Sequence, residues 1–314
     1  MRQLALALVA ALLFAALPLL TSSNYIVGVG LSALIFTVAA AALNLIYGFT
    51  GLLSFAQLGF WGIGGYASAL TVVTFGGNFW WGVVWAAAIN AVVALVVGFP
   101  MLRTGRHAFV IGSLTFALLV SLVARDWVDL TRGPLGIPNL PPPQAFGVVF
   151  DATAKFYWIA WTFALAMLLL LYALCSSRIG RTLVAIKQNE DLVRAQGISP
   201  MPYKLAAFAI SAAITGAAGG VYCFHLGIVD PTFLDFYYMQ TFLIIVIIGG
   251  TGSFWGVLAS GIVLSALPEA LRFSEDFRMI IYGAILIVAM FAMPGGVAGF
   301  FRDRAVARQR EALK

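Results

Sequence analysis

The chain has 314 residues, 62% of them hydrophobic and only 10% charged, with a mean hydropathy of +1.00 and a formal net charge of +6. A soluble domain carries about 25% charged residues, so this much apolar surface cannot be buried in one core and must face lipid. A soluble globular domain is therefore excluded. The positive charge lies in a few loops, where it reports orientation in a membrane, and no nucleic-acid partner is expected.

Residues 4–20 are apolar and lie between Arg2 and Thr21-Ser22-Ser23. No A-x-A-like cleavage site stands beside them, so they read as a retained first span, with a cleaved secretory signal as the alternative. Between Arg2 and Arg103 there are 100 consecutive residues without Asp, Glu, Lys or Arg. At about 20 residues per span that stretch has room for four helices. Continuous rather than alternating apolar runs select helices over a barrel. Full spans are predicted at roughly 4–20, 26–47, 55–75, 80–100, 108–125, 156–176, 204–226 and 279–299. Cys175 and Cys223 fall inside two of them and read as buried apolar side chains without a disulfide.

The connections set the orientation. Arg103, Arg106 and His107 form one basic loop, and residues 178–204 carry Arg178, Arg181, Lys187, Arg194 and Lys204 against Glu190 and Asp191. The tail, 300–314, holds five basic residues against two acidic ones. The positive-inside rule puts all three in the cytoplasm. The loop 125–155 contains Gly133-Pro134, Pro138 and Pro141-Pro142-Pro143, so it cannot be helical through its middle and reads as an external ledge.

The apolar segment 237–268 would break this parity if it crossed once. A glycine cluster, Gly249-Gly250-Thr251-Gly252, divides it into arms of about 12–14 residues. At 1.5 Å per residue neither arm reaches across about 30 Å. A re-entrant hairpin resolves the parity, and two strongly tilted full helices are the alternative. With the hairpin, inside loops carry 13 basic and 4 acidic residues and outside loops carry 5 and 8. Both termini are then cytoplasmic. The expected fold is an all-α polytopic membrane protein with about 8 full spans plus the hairpin, in one transmembrane domain.

The most distinctive polar stretch runs from Arg178 to Pro200. Asn189 is a helix N-cap. Glu190 and Asp191 occupy the first turn and Arg194 lies near the end, as the macrodipole favours. Gly197 suits a left-handed C′ position and Pro200 forbids continuation. The pattern predicts a two-turn helix on the cytoplasmic face, read either as a solvated connector or as a docking element for a partner.

Here a resemblance enters. Gly180, Arg181, Leu183, Ala185, Ile186, Asn189, Glu190, Gly197 and Ile198 match the cytoplasmic loop of the branched-chain amino-acid permease family of ABC importers, with Val193 where Ala is common. Leu43-Asn44-Leu45, Gly48, Gly51, Ser54, Phe60 and Gly62-Ile63-Gly64-Gly65-Tyr66 resemble a second family segment, with Gly65 in place of Ala. Ile248 to Gly256 is similar to a third, and the order best fits the M-type subunit. The resemblance implies a second, homologous permease, two cytoplasmic ATPase subunits and an external substrate-binding protein as partners, in a bacterial inner membrane. It implies a branched-chain or related amino acid as cargo, with urea or short amides as the alternative. ATPase coupling is expected at Gly180, Arg181, Ala185, Asn189, Glu190, Arg194 and Gly197.

Gly48-Phe49-Thr50-Gly51 and Gly249-Gly250-Thr251-Gly252 are both G-x-T-G breaks in apolar runs, and paired broken helices point to a midplane path. Gly48, Gly51, Gly249, Gly250 and Gly252 are the expected hinges. Asn44, Ser54, Gln57, Tyr66 and Thr251 are the polar residues expected along the path. Ala212, Gly216 and Gly220 make a small-residue face for close helix packing, first of all within the chain. No phosphate-binding G-x-x-x-x-G-K-[ST] loop, metal-spaced Cys/His cluster or nucleophile–base pair occurs in the sequence. No cofactor, no ATP hydrolysis by this chain and no enzyme activity are expected. A self-contained secondary carrier is the alternative from another class. The spans hold few ionisable groups, which argues against ion coupling.

Overall fold

The computed structural model describes residues 17–19, 21, 23–145 and 148–265, with isolated positions at 283, 284, 287, 288, 296 and 299. Most of the spans predicted at 4–20 and 279–299, and the whole tail 300–314, lie outside the described residues. Helix α1, Asn24–Asn44, runs into a π-helical turn at Leu45–Phe49. Then come α2, Ala56–Val73; α3, Phe79–Leu102; and α4, Arg106–Asp126. A one-turn α5, Val128–Thr131, leads through β1, Ile137–Pro138, β2, Gln144–Ala145, and β3, Val148–Val149, into α6, Thr153–Ser176. The basic segment holds α7, Arg178–Gln188, and α8, Glu190–Ala195. Helix α9, Pro200–Leu226, is followed by β4, Ile228–Val229, a 3-10 turn at Pro231–Leu234, α10, Phe236–Gly249, and α11, Phe254–Leu264.

Among the described residues, six helical segments are long and apolar enough to cross a membrane: Asn24–Phe49, Phe79–Leu102, Arg106–Asp126, Thr153–Ser176, Pro200–Leu226 and Pro231–Gly249. Five coincide with predicted spans. The predicted span 55–75 is the 18-residue α2, which falls outside the six and is mostly buried among its neighbours. The sixth, Pro231–Gly249, contains the first arm of the predicted hairpin. The arm's α-helix, α10, has 14 residues, as expected, and the 3-10 turn at Pro231–Leu234 precedes it across the extended residue Asp235.

The two arms fold back on each other. Ser260 Oγ donates to Ile245 O, 2.8 Å, and a Cβ on Gly249 would press on Val257 and Ser260. As one residue number rises its partner's falls, which is the signature of antiparallel packing about the Gly250–Ser253 turn.

Helix α9 is the hub, packed on α1, α2 and α3. Its small face permits this. A Cβ on Gly64 would collide with the Gly216 carbonyl, and one on Gly220 would stand 3.1 Å from Ser68 Cβ and 3.2 Å from Ala86 Cβ. The face at Ala212, Gly216 and Gly220 is thus occupied within the chain. An aromatic nest fills the space between α1, α2, α9 and α10. Trp61 lies 5.2–6.0 Å, centroid to centroid, from Tyr222, Phe233, Phe242, Tyr238 and Phe36. Outward residues of α3 and α4, including Trp81, Trp85, Val96 and Leu118, are exposed and apolar, as a lipid-facing surface requires.

Segment 125–155 covers one end of the bundle. Ile137 pairs with Val229 and Pro138 with Ile228. Leu140 N donates to Gly227 O, 3.1 Å, and Trp80 Nε1 to Gln144 O, 3.2 Å. These bonds satisfy backbone groups in a proline-rich stretch that has no helix to satisfy them. The opposite end carries the Arg103–Arg106 loop together with α7 and α8.

Candidate functional site

The basic end is built by capping. Ser177 Oγ accepts from the Ile179 and Gly180 amides and starts α7. This 11-residue helix lies within the segment expected as a loop, and its signal was present: Gly180, Leu183 and Ile186 share one buried face at a spacing of three. Asn189 Oδ1 then accepts from Leu192 N at 3.0 Å and starts α8. Gly197 has φ +82°, as a left-handed C′ residue should.

The expected coupling residues take different parts in this geometry. Glu190 binds both Lys204 and Arg194, the latter at 2.8 Å, and so clamps α8 onto the second turn of α9. A Cβ on Gly180 would collide with the Cys175 carbonyl, so only glycine lets α7 approach the end of α6 so closely. Arg181 Nη1 donates to Ser176 O, 3.2 Å. Val193 is buried, while Leu192, Ala195 and Gln196 face outward. A cavity of about 350 Å³ opens beside α8, between Leu52, Leu102, Arg103, Arg106, Glu190 and Lys204.

The two glycine breaks, some 200 residues apart in sequence, meet. The Asn44 carboxamide joins them, accepting from Gly252 N at 2.9 Å and donating to Ser253 O at 3.4 Å. A Cβ on Gly48 would collide with Gly252 N, and one on Gly252 would lie 2.9 Å from Gly48 O. Gly252 has φ +87°, a conformation that favours glycine in its own right. Gly296 also stands against Gly250, since its Cβ would meet Gly250 Cα and N at 2.5 Å.

Lys187, from the last turn of α7, reaches into this crossing. Its Nζ donates to Gly48 O at 2.7 Å and its stem packs on Gly51. The Gly48 carbonyl lies where α1 breaks and has lost its helical partner, and a cation at a helix C-terminus is the natural replacement. The Lys187 carbonyl in turn accepts from Arg106 Nη2, 3.3 Å. Partial burial, and then the neighbouring Arg106 charge, hold the Lys187 ammonium below the usual lysine range. Lys187 is thus a junction residue that motif reading passed over as one more loop cation.

The expected path residues are not gathered at one point. Gln57 is buried and donates to Ser211 Oγ at 2.6 Å, while Ser211 Oγ donates to Ala42 O. Tyr66 lies nine residues further along α2, about 13 Å away at the helical rise. Ser54 Oγ, Gln57 Oε1, Trp61 Nε1 and Tyr66 OH are buried with no hydrogen-bond partner among the described residues. Thr251 is exposed at the hairpin tip.

The sequence matches the family described as "Branched-chain amino acid transport system / permease component" over residues 25–290. The chain belongs to this family. Within it, the permease is 30% identical over 294 residues to "High-affinity branched-chain amino acid transport system permease protein LivM" of Escherichia coli, covering 86% of this chain and 69% of that relative. The LivM protein of Salmonella typhimurium is 28% identical, covering 88% and 71%. The similarly named LivH of Escherichia coli is 26% identical, covering 84% and 91%. No solved structure matches. Both glycine breaks and the whole basic segment lie inside the matched region. The protein is therefore a multi-pass membrane permease component of a transport system.

Proposed function

We propose that this permease is one of the two membrane subunits of an ATP-driven importer and carries branched-chain amino acids, as the names of its relatives describe for them. The pore forms with a second, homologous permease of the LivH kind. Two ATPase subunits dock on the basic end, which faces the cytoplasm of a bacterial inner membrane, and a binding protein delivers cargo at the capped end. The chain itself does no chemistry and supplies alternating access.

One observation carries the reading beyond family membership: a capped, charge-clamped helix, α8, stands at the basic end of a protein that is otherwise almost all membrane helix, and shows Leu192 to solvent at 58% exposure. No described residue covers that face, which leaves it open to a docked partner. Gly180, Arg181, Ala185, Asn189, Glu190, Arg194 and Gly197 hold this element and its approach in place. The breaks at Gly48–Gly51 and Gly249–Gly252 give the bundle its hinges. Gln57, Ser54 and Tyr66 contribute buried polar groups to the path, whereas Asn44 and Thr251 belong to its inner end.

Reconstitution tests the proposal. Liposomes holding this chain, the second permease and the ATPases should take up leucine, isoleucine or valine only with ATP at the basic face and the binding protein at the other. Leucine uptake by this chain alone, driven by an ion gradient, would favour a self-contained carrier.

A further inference from the structure

The crossing of the two glycine breaks lies where the proposed docking segment meets the spans. Four bonds connect them: Arg106 Nη2 to Lys187 O, Lys187 Nζ to Gly48 O, and the Asn44 carboxamide to Gly252 N and Ser253 O. Every one ends on a backbone group of a chain break or a helix end. Ser253 O also accepts from Val257 N, 3.2 Å, at the start of α11, and the other groups stand at helix ends or in the turn, so the bonds can be exchanged without unravelling a helix. Like Asn44, Lys187 stands at both breaks, with its stem on Gly51, its Nζ on the Gly48 carbonyl and the same Nζ near Gly252. It is also carried by α7, which is separated from α8 by Asn189 alone. Any displacement of α8 by a partner is therefore delivered within one residue to the base of Lys187.

We infer that the crossed breaks are the inner gate of the translocation path and that Lys187 is its latch, a positioning residue that holds the gate shut while α8 is at rest and withdraws when the docked ATPases move α8. The glycines make the gate compact. With no Cβ at Gly48 and Gly252 the two backbones touch, which closes the path by main chain alone. Released from Lys187, the Gly48 carbonyl and the hairpin tip are free to separate along the Asn44 contact. The inference rests on the importer reading, because it needs a partner that moves α8.

The test uses the full complex in liposomes, with leucine as cargo, and measures leucine imported per ATP hydrolysed. Lys187→Met keeps the stem and removes the donor. It should leave ATPase co-purification intact and ATP hydrolysis within about twofold of the parent, yet cut leucine per ATP by tenfold or more. Lys187→Arg, which retains donors at the same reach, should restore most of the ratio. If Lys187→Met does not accumulate, Lys187→Gln, one bond too short for the Gly48 carbonyl, takes its place with the same expectation. A parental ratio in the donorless variant overturns the latch, and so does a parallel loss of hydrolysis and transport that arginine does not rescue. A parent complex that imports no leucine while its ATPases turn over would instead sink the importer reading.

Discussion

Asn44 Oδ1 accepts the Gly252 amide at 2.9 Å across 208 residues of sequence, with Asn44 buried and Gly252 half-buried. In a membrane protein a backbone N–H without a partner is expensive, because lipid offers no substitute. Asn44→Ala should therefore lower stability by about 1–3 kcal/mol, the usual cost of stranding a buried donor. Asn44→Asp keeps the acceptor for Gly252 but loses the donation to Ser253, so it should fall between parent and alanine if the site accommodates the charge. Thermal unfolding of the purified protein in one detergent decides the order. Equal midpoints for parent and alanine variants would remove Asn44 as the joint.

Glu190 serves two cations, Lys204 on α9 and Arg194 on its own helix. The Lys204 side chain is only 11% exposed, whereas Arg194 is 60% exposed. Exposed i,i+4 pairs are worth only about 0.3–0.5 kcal/mol, so the Lys204 arm should dominate. Glu190→Gln and Lys204→Met should each loosen α8 and weaken ATPase co-purification severalfold, and the double variant should be no worse than the poorer single. Arg194→Ala should cost little. Additive losses in the Glu190/Lys204 pair would show that the two do not act as one clamp.

How much of this was legible in sequence follows from the range of the forces. Asn189, Glu190 and Gly197 were readable because caps and macrodipoles act within one turn. The spans were readable because lipid imposes a run of apolar residues. The start of α10, expected at Tyr237, falls at Phe236, where Asp235 caps the helix through Tyr237 N. α7 was taken for loop because its polar residues outnumber the three that face inward. Nothing local announces that Lys187 will find Gly48, or that Asn44 will find Gly252. Those contacts depend on how α1, α7 and the hairpin pack, and the equivalence of the two G-x-T-G breaks was the only trace of their meeting.

Leu192 is 58% exposed on α8, about 100° round the helix from buried Val193. As part of the proposed docking face it should tolerate polar substitution in the isolated chain and not in the complex. Leu192→Glu is expected to leave membrane abundance and melting unchanged while reducing ATPase co-purification by tenfold or more. Val193→Glu should instead destabilise the chain itself. Retained co-purification in the Leu192 variant would move the docking face elsewhere.

The path residues separate in the same way. Gln57→Ala strands the Ser211–Gln57 bond inside the bundle, whereas Thr251→Ala changes only an exposed tip. Both should change leucine uptake by several-fold without altering the amount of protein in the membrane. Gln57→Ala should in addition lower stability by about 1 kcal/mol, the typical net worth of one hydrogen bond. Parental uptake in both variants would take them off the path.

Gly216 tests the hub. A Cβ there would run into the Asn90 side chain, and Asn90 Oδ1 has no hydrogen-bond partner among the described residues. Gly216→Ala should overpack the α3–α9 contact, at a cost of about 1–3 kcal/mol. Asn90→Ala removes the two nearest obstructing atoms, Nδ2 and Cγ, and leaves only Cβ at 2.9 Å, so Gly216→Ala/Asn90→Ala should recover part of the loss. Gly64→Ala has no such escape, because its Cβ would meet the Gly216 carbonyl rather than a side chain. Melting midpoints of the four variants should rank Asn90→Ala highest and Gly64→Ala lowest, with the double variant above Gly216→Ala. A double variant as poor as the sum of its singles would mean that Asn90 does not limit how closely α3 and α9 approach.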